Sequence, residues 1–256
     1  MTPVYSPPIF ASLIFTLMLA TPTAAGESPP SSLCCREESL AAADECRNRA
    51  PAKEPEITFA LQSSPTTWHY GHNRDQIRAL RVNSGAKLAA VGPNWQSIGL
   101  TLATFVLAVD VRVVAIPGKA SKAGSAPAEY CAHLTAVDVK FGTSRMDAYV
   151  TRDYRQGSCP HRAVRDHEER HVAIYRAAVE RYAPLIETRL QAVARELAPV
   201  RAANAKAGAE RLRKTLHDDL SRIFDAMGRE METENRALDT PEAYANERKL
   251  CPRGEW

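Results

Sequence analysis

Apolar and polar residues alternate in several runs along the first two thirds of the chain. The alternation begins at Ile57-Thr58-Phe59-Ala60-Leu61 and returns over Leu100 to Ile116, where β-branched residues accumulate. It returns again over Leu134 to Phe141 and Met146 to Thr151. A period of two is the signature of half-buried strands. Pro117, Gly118, Gly124 and Pro127 mark a long loop between two of these runs. The middle of the chain is therefore expected to form an antiparallel sheet of about four to six strands. Beyond Pro160 the period changes. Residues 161–238 are dominated by Ala, Arg, Glu and Leu at helical spacing, with Pro only at 184 and 199. This predicts one long helix, kinked at Pro184 and ending near Pro199, and a second, antiparallel helix from about Ala202 to about Leu238. The fold class is α+β, in the order sheet, long helix, C-terminal helix. The tail from Asp239 to Trp256 is expected to be a loop laid back on the body.

Composition narrows the class. The chain has 256 residues, 45% of them apolar and 25% charged, which excludes wholesale disorder. A formal charge of +3, with no dense basic block, gives no reason to expect a nucleic-acid partner. Ile9 to Ala20 has the length of a signal-peptide core and is too short to span a bilayer. Thr23 and Ala25 offer a cleavage pair, so residues 1–25 are expected to be a leader and the mature chain exported, to the periplasm or beyond. Leu88 to Val109 is uncharged but interrupted by Pro93, Asn94 and Gln96, and reads as loop and buried strand, with no stable membrane span. Residues 26–55 read as a loose arm before a single domain over 56–256. Six cysteines suit disulfides in an oxidising compartment. Cys131 and Cys159 flank the strands that lead into the first long helix, which makes them the favoured pair. A further bridge is expected between Cys251 and Cys46, or Cys251 and a member of the Cys34/Cys35 pair.

The chemistry concentrates at His167-Glu168-Glu169-Arg170-His171, an H-E-x-x-H run within the long helix. Histidines at i and i+4 project from one face and can reach one ion, and the intervening glutamate can act on a metal-bound water. Val164, His171, Ile174, Ala178, Tyr182 and Leu185 share a stripe with His167, so the pair faces inward. The bland alternative is a pair of satisfied core histidines.

These residues resemble the motif of the zincin metallopeptidases, and Gly157-Ser158-Cys159 with His167 to Val172 is similar to a group of secreted bacterial HExxH proteins of unassigned function. The zincin resemblance implies a Zn2+ cofactor, His167 and His171 as metal ligands, Glu168 as general base, and a peptide or protein substrate held by an edge strand. Ile174 and Ala177 occupy positions where metzincins carry Gly and His. Gly142 to Asp147 precedes the motif, whereas the aspzincin signature follows it. A gluzincin-like site remains, with a glutamate from a later helix as third ligand. If the two helices turn near Pro199, equal counts from the turn at about 1.5 Å per residue bring positions 228 to 232 opposite the histidines. Glu230, Glu232 and Glu234 lie near there, with Asp225 further off. Glu234 falls inside the stripe of Leu216, Leu220, Phe224, Met227, Met231 and Leu238, Glu230 at its edge and Glu232 outside, so Glu234 is the expected ligand. Fraying of the helix before Glu234 is the alternative.

His69, His72, His161 and His217 have structural readings, as do Tyr175 and Tyr244, although either tyrosine could donate to an oxyanion. The expected function is that of an exported zinc hydrolase, most simply a peptidase. A metal-dependent hydrolase of another bond, and a non-catalytic binding or assembly protein with a structural or relic metal site, are the alternatives.

Overall fold

A computed structural model describes residues 4–5, 46, 53–84, 98–117 and 129–256. The expected leader, apart from Val4 and Tyr5, and most of the N-terminal arm, including Cys34 and Cys35, lie outside the described residues. The strands are β1 (Val4–Tyr5), β2 (Glu56–Gln62), β3 (Thr66–His69), β4 (Gly99–Pro117), β5 (Tyr130–Val150) and β6 (Val200–Ala202). The helices are α1 (Arg74–Asn83), α2 (Cys159–Glu196), α3 (Ala205–Leu238) and α4 (Pro241–Arg248).

The expectation of an antiparallel sheet is corrected by the strand directions. The sheet is mixed and six-stranded, in the order β1-β4-β5-β2. β4 and β5 form its long antiparallel ladder, but β2 and β3 both run parallel to β5. Because β1 is antiparallel to β4, four strands, β1, β2, β3 and β5, point one way, and β4 and β6 the other. β5 is 21 residues long, and its second edge is covered in turn by β6 at Tyr130 to Ala132, β2 at Ala136 to Gly142 and β3 at Met146 to Tyr149. Period-two alternation identifies a strand but carries no direction, and the elements between β2 and β5 give the chain enough length to return parallel. Between β2 and β3, Ser64 bridges the break: its amide donates to Thr143 Oγ1 and its hydroxyl to the Thr143 carbonyl.

The face of β4 toward the helices carries every second residue. Phe105, Leu107, Val109, Val111 and Val113 join the main core with Ile186 and Leu190 of α2 and Leu212, Leu216 and Leu220 of α3. On β5 the core positions switch from Leu134 to Val137, a change of parity. The ladder slips there, with Arg112 opposite Ala136 and Val113 opposite Leu134, and the extra residue Thr135 hydrogen-bonds back to the Arg112 carbonyl. A second slip leaves Ser144 unopposed, with its hydroxyl on the Thr104 carbonyl.

α2 starts at the Ser158 cap, with Pro160 in its first turn, and runs as one long helix through the exposed Pro184 to Glu196. α3 returns antiparallel, as shown by the Arg189–Asp219 ion pair and the Tyr182–Glu230 hydrogen bond. No helix among the described residues is long and apolar enough to cross a membrane. The tail is not a loop: Thr240 caps α4, with Pro241 in its first turn. The expected Cys131–Cys159 bridge is also corrected. Cys131 bonds Cys46 and Cys159 bonds Cys251, so the arm and the tail are each tied to the body.

Candidate metal centre

His167 and His171 lie on the inward face of α2, one turn apart, and are 3% and 7% exposed. Their Nε2 atoms are 3.1 Å apart. The third group is Asp239, whose Oδ1 lies 3.1 Å from His167 Nε2 and 3.3 Å from His171 Nε2. Asp239 is the residue after α3, with φ −91° and ψ 47°, and the α4 cap follows it at once. Its carboxylate is thus aimed by the junction of two helices. The Tyr244 hydroxyl donates to the same Oδ1, and the Tyr244 ring stacks on His167 with centroids 4.9 Å apart.

Glu234, the expected third ligand, is elsewhere. It pairs with Arg181 on the outer surface, and Glu230 is held by Arg181 and the Tyr182 hydroxyl. The reason is the connection. β6 is inserted between the helices, so their symmetry point moves from Pro199 to about residue 203, and the facing positions move by about seven residues. His171 then faces Asn235, which it contacts at 2.6 Å, and His167 faces Asp239. A carboxylate one residue past the α3 stripe was the available signal.

The outer nitrogens of both histidines also have partners. His171 Nδ1 meets Asn235 Oδ1, and His167 Nδ1 meets Glu247 Oε1 at 2.8 Å; Glu247 also accepts from Arg170. Asn235 went unnoticed in the sequence because its place opposite His171 depends on the register that β6 sets, and Glu247 because its role depends on the fold of α4. Glu168 is 4% exposed and faces β4. Thr101 Oγ1 donates to Glu168 Oε2 at 2.7 Å. The other oxygen, Oε1, lies against Gly99, where a Cβ would come within 2.2 Å of it.

The electrostatics are those of a dense buried cluster. Burial opposes charge on His167, but hydrogen bonds to Asp239 and Glu247 and the nearby Glu168 outweigh it and push the imidazole up to about 9. His171 is raised in the same way by Asp239 and Glu168, against burial. Burial raises Glu168 despite the two histidines. Burial also pushes Asp239 upward, but hydrogen bonds from His167 and His171 hold it well below the usual carboxylate range.

The three atoms fit a divalent ion. At Zn–N and Zn–O distances of about 2.0–2.2 Å, the edges of a tetrahedron are about 3.3–3.6 Å, close to the observed separations. Among the described residues, His167, His171 and Asp239 form a group that could hold a metal, with all three ligand atoms within 4.8 Å of one another. Two neutral histidines and a carboxylate are a donor set that suits zinc. The other histidines do not gather into such a group: His69 pairs with Asp147 and stacks on Tyr149, and His161 lies beside Tyr70. Comparison with protein-family models, with curated proteins and with solved structures finds no match to this chain.

Proposed function

We propose that the protein is an exported zinc-dependent hydrolase, most simply a peptidase, with His167, His171 and Asp239 as ligands and Glu168 as general base. The observation that carries the reading is the convergence of His167 Nε2, His171 Nε2 and Asp239 Oδ1 beside a buried glutamate on the same helix. A bound zinc ion supplies a Lewis acid that lowers the pKa of water and polarises a carbonyl.

The residues of the chain do the rest. Glu168 sits one residue from a ligand and is held at one oxygen by Thr101, so its position is fixed before substrate arrives. Burial raises its proton affinity, which suits a group that takes a proton from water and delivers it to a leaving amine. Tyr244 spends its one hydroxyl proton on the Asp239 carboxylate and stacks on His167, so it orients two of the proposed ligands. Among the described residues, β4 from Gly99 to Val111 has no strand partner on the side away from β5, and Gly99 and Thr101 touch Glu168. An extended peptide added to that edge would pass the base. The two disulfides accord with an oxidising compartment.

The test is metal analysis of the purified protein together with digestion of a broad peptide library, comparing wild type with Glu168→Gln. Zinc near one equivalent in both proteins, with cleavage lost in the variant, is the expected result. Cleavage by Glu168→Gln at the wild-type rate would exclude the mechanism, and zinc without any cleavage would leave a structural metal site.

A further inference from the structure

We propose that Asn235 and Glu247 are positioning residues of the centre, holding both imidazoles in the Nδ1–H tautomer so that the two Nε2 lone pairs face one divalent cation. This rests on the metal reading above.

The orientation of Asn235 is fixed by its own helix. Its Nδ2 donates to the Met231 carbonyl at 2.7 Å, one turn back, which turns Oδ1 toward His171 Nδ1 at 2.6 Å. An amide oxygen only accepts, so the proton between them belongs to His171 Nδ1. At His167 the same assignment follows from charge. Nδ1 lies 2.8 Å from Glu247 Oε1, and that oxygen also takes a hydrogen bond from the Arg170 guanidinium. Arg170 Nη2 also lies 3.5 Å from His167 Nδ1, at the limit of a hydrogen bond, but Glu247 Oε1 at 2.8 Å is the far closer partner. A carboxylate paired with arginine is an acceptor only, so His167 Nδ1 is the donor.

With both Nδ1 atoms donating, neutral imidazoles leave bare lone pairs on Nε2. Those lone pairs lie 3.1 Å apart and face the Asp239 carboxylate. Three acceptors that close repel one another unless a proton or a cation sits between them, and a divalent cation takes the place that Nε2 protons hold in the metal-free protein. The partners come from two elements outside the motif helix, Asn235 from the last turn of α3 and Glu247 from α4. A ring flip of either histidine would break its outer hydrogen bond, so the pair fixes rotamer and tautomer together.

The experiment uses the full oxidised chain and Zn2+ alone, with affinity read by competition against a chromogenic chelator. Asn235→Ala and Glu247→Ala should each bind zinc about 10- to 100-fold more weakly than wild type. Glu247→Gln, which keeps a carbonyl acceptor, should recover affinity to within about threefold. Melting curves of the metal-free variants establish that they fold. Nitrogen-15 spectra of the zinc-loaded wild type, which need no variant, should show both Nδ1 atoms protonated. Folded alanine variants with wild-type affinity, or an unprotonated Nδ1 on either histidine, would overturn the proposal while leaving the metal site standing. A wild type that binds no zinc would overturn both.

Discussion

Asp239 joins both histidines through one oxygen, so its removal takes away a proposed ligand and exposes two imidazoles to each other. Asp239→Ala should weaken zinc binding by more than about 100-fold, beyond the loss expected from an outer hydrogen-bond partner. Glu234→Ala, which breaks only an exposed pairing with Arg181, should leave zinc affinity unchanged. A zinc titration of the two variants against wild type makes the comparison, and the reverse ranking would return the third ligand to Glu234. The same residues set a pH dependence. In the metal-free protein His167 holds its proton up to about pH 9, well above its ordinary value of 6.5. A raised folded-state pKa contributes stability that is fully present below about pH 6.5 and is lost as pH rises through about 9. Metal-free protein should therefore melt at lower temperature at pH 9 than at pH 6.5, other groups being equal. Zinc must displace that proton, so apparent zinc affinity should rise over the same interval. Thermal melts and chelator competition across this range check both signs, and a flat profile would show that His167 is neutral in the metal-free protein.

β4 shows at the level of one element how the site is built into the sheet. Its inward positions read Gly99, Thr101, Ala103, Phe105, Leu107, Val109, Val111 and Val113: small or polar where α2 brings Glu168, large and apolar beyond. A Cβ at Gly99 would stand 2.2 Å from Glu168 Oε1 and 2.9 Å from Val164 Cγ1, so the Glu168 side chain must move. Gly99→Ala should retain zinc and lose turnover by about 100-fold, the scale of a displacement near 1 Å at a reacting group. Loss of zinc along with turnover would place the disturbance in the ligands instead. The runs at 57–61 and 100–116 were legible as strands because alternation survives inside β2 and β4. The break expected between the runs at 134–141 and 146–151 is absent, because Ser144 is absorbed as a bulge within β5. Strand direction was not legible, since alternation is the same read either way and one edge of β5 takes both the parallel β2 and the antiparallel β6. The HExxH run identified two of the grouped residues and the glutamate beside them. Asp239, Asn235 and Glu247 stayed hidden because the short β6 resets the helix register, and because nothing local distinguishes α4 from a polar tail.

At the scale of the whole molecule, the centre is assembled from distant parts of the chain. α2 supplies the histidines and Glu168, β4 supplies Thr101 and Gly99, and the segment from Asp239 to Glu247 supplies the third carboxylate, a stacking tyrosine and the partner of His167. That last segment has no buried residue in α4, so apolar packing contributes little to holding it. The Cys159–Cys251 bridge compensates by tying its end to the first turn of the motif helix, across a sequence separation of 92. Closing a loop of that length reduces unfolded-chain entropy by about 4–5 kcal/mol in the chain-entropy model. The Cys46–Cys131 bridge spans 85 residues and has a similar entropic value, but it ties the N-terminal arm to β5, away from the ligand-bearing segment. The two bridges should therefore separate stability from metal affinity. Cys159→Ser with Cys251→Ser should lower both the melting temperature and zinc affinity, the latter by about tenfold or more, because Asp239 and Glu247 lose their tether. Cys46→Ser with Cys131→Ser should lower the melting temperature and leave zinc affinity near that of the parent. Chelator competition on the two folded double variants, each bearing one intact bridge, decides the matter. Equal affinities in the two would mean that Asp239, Tyr244 and Glu247 hold the segment without the bridge.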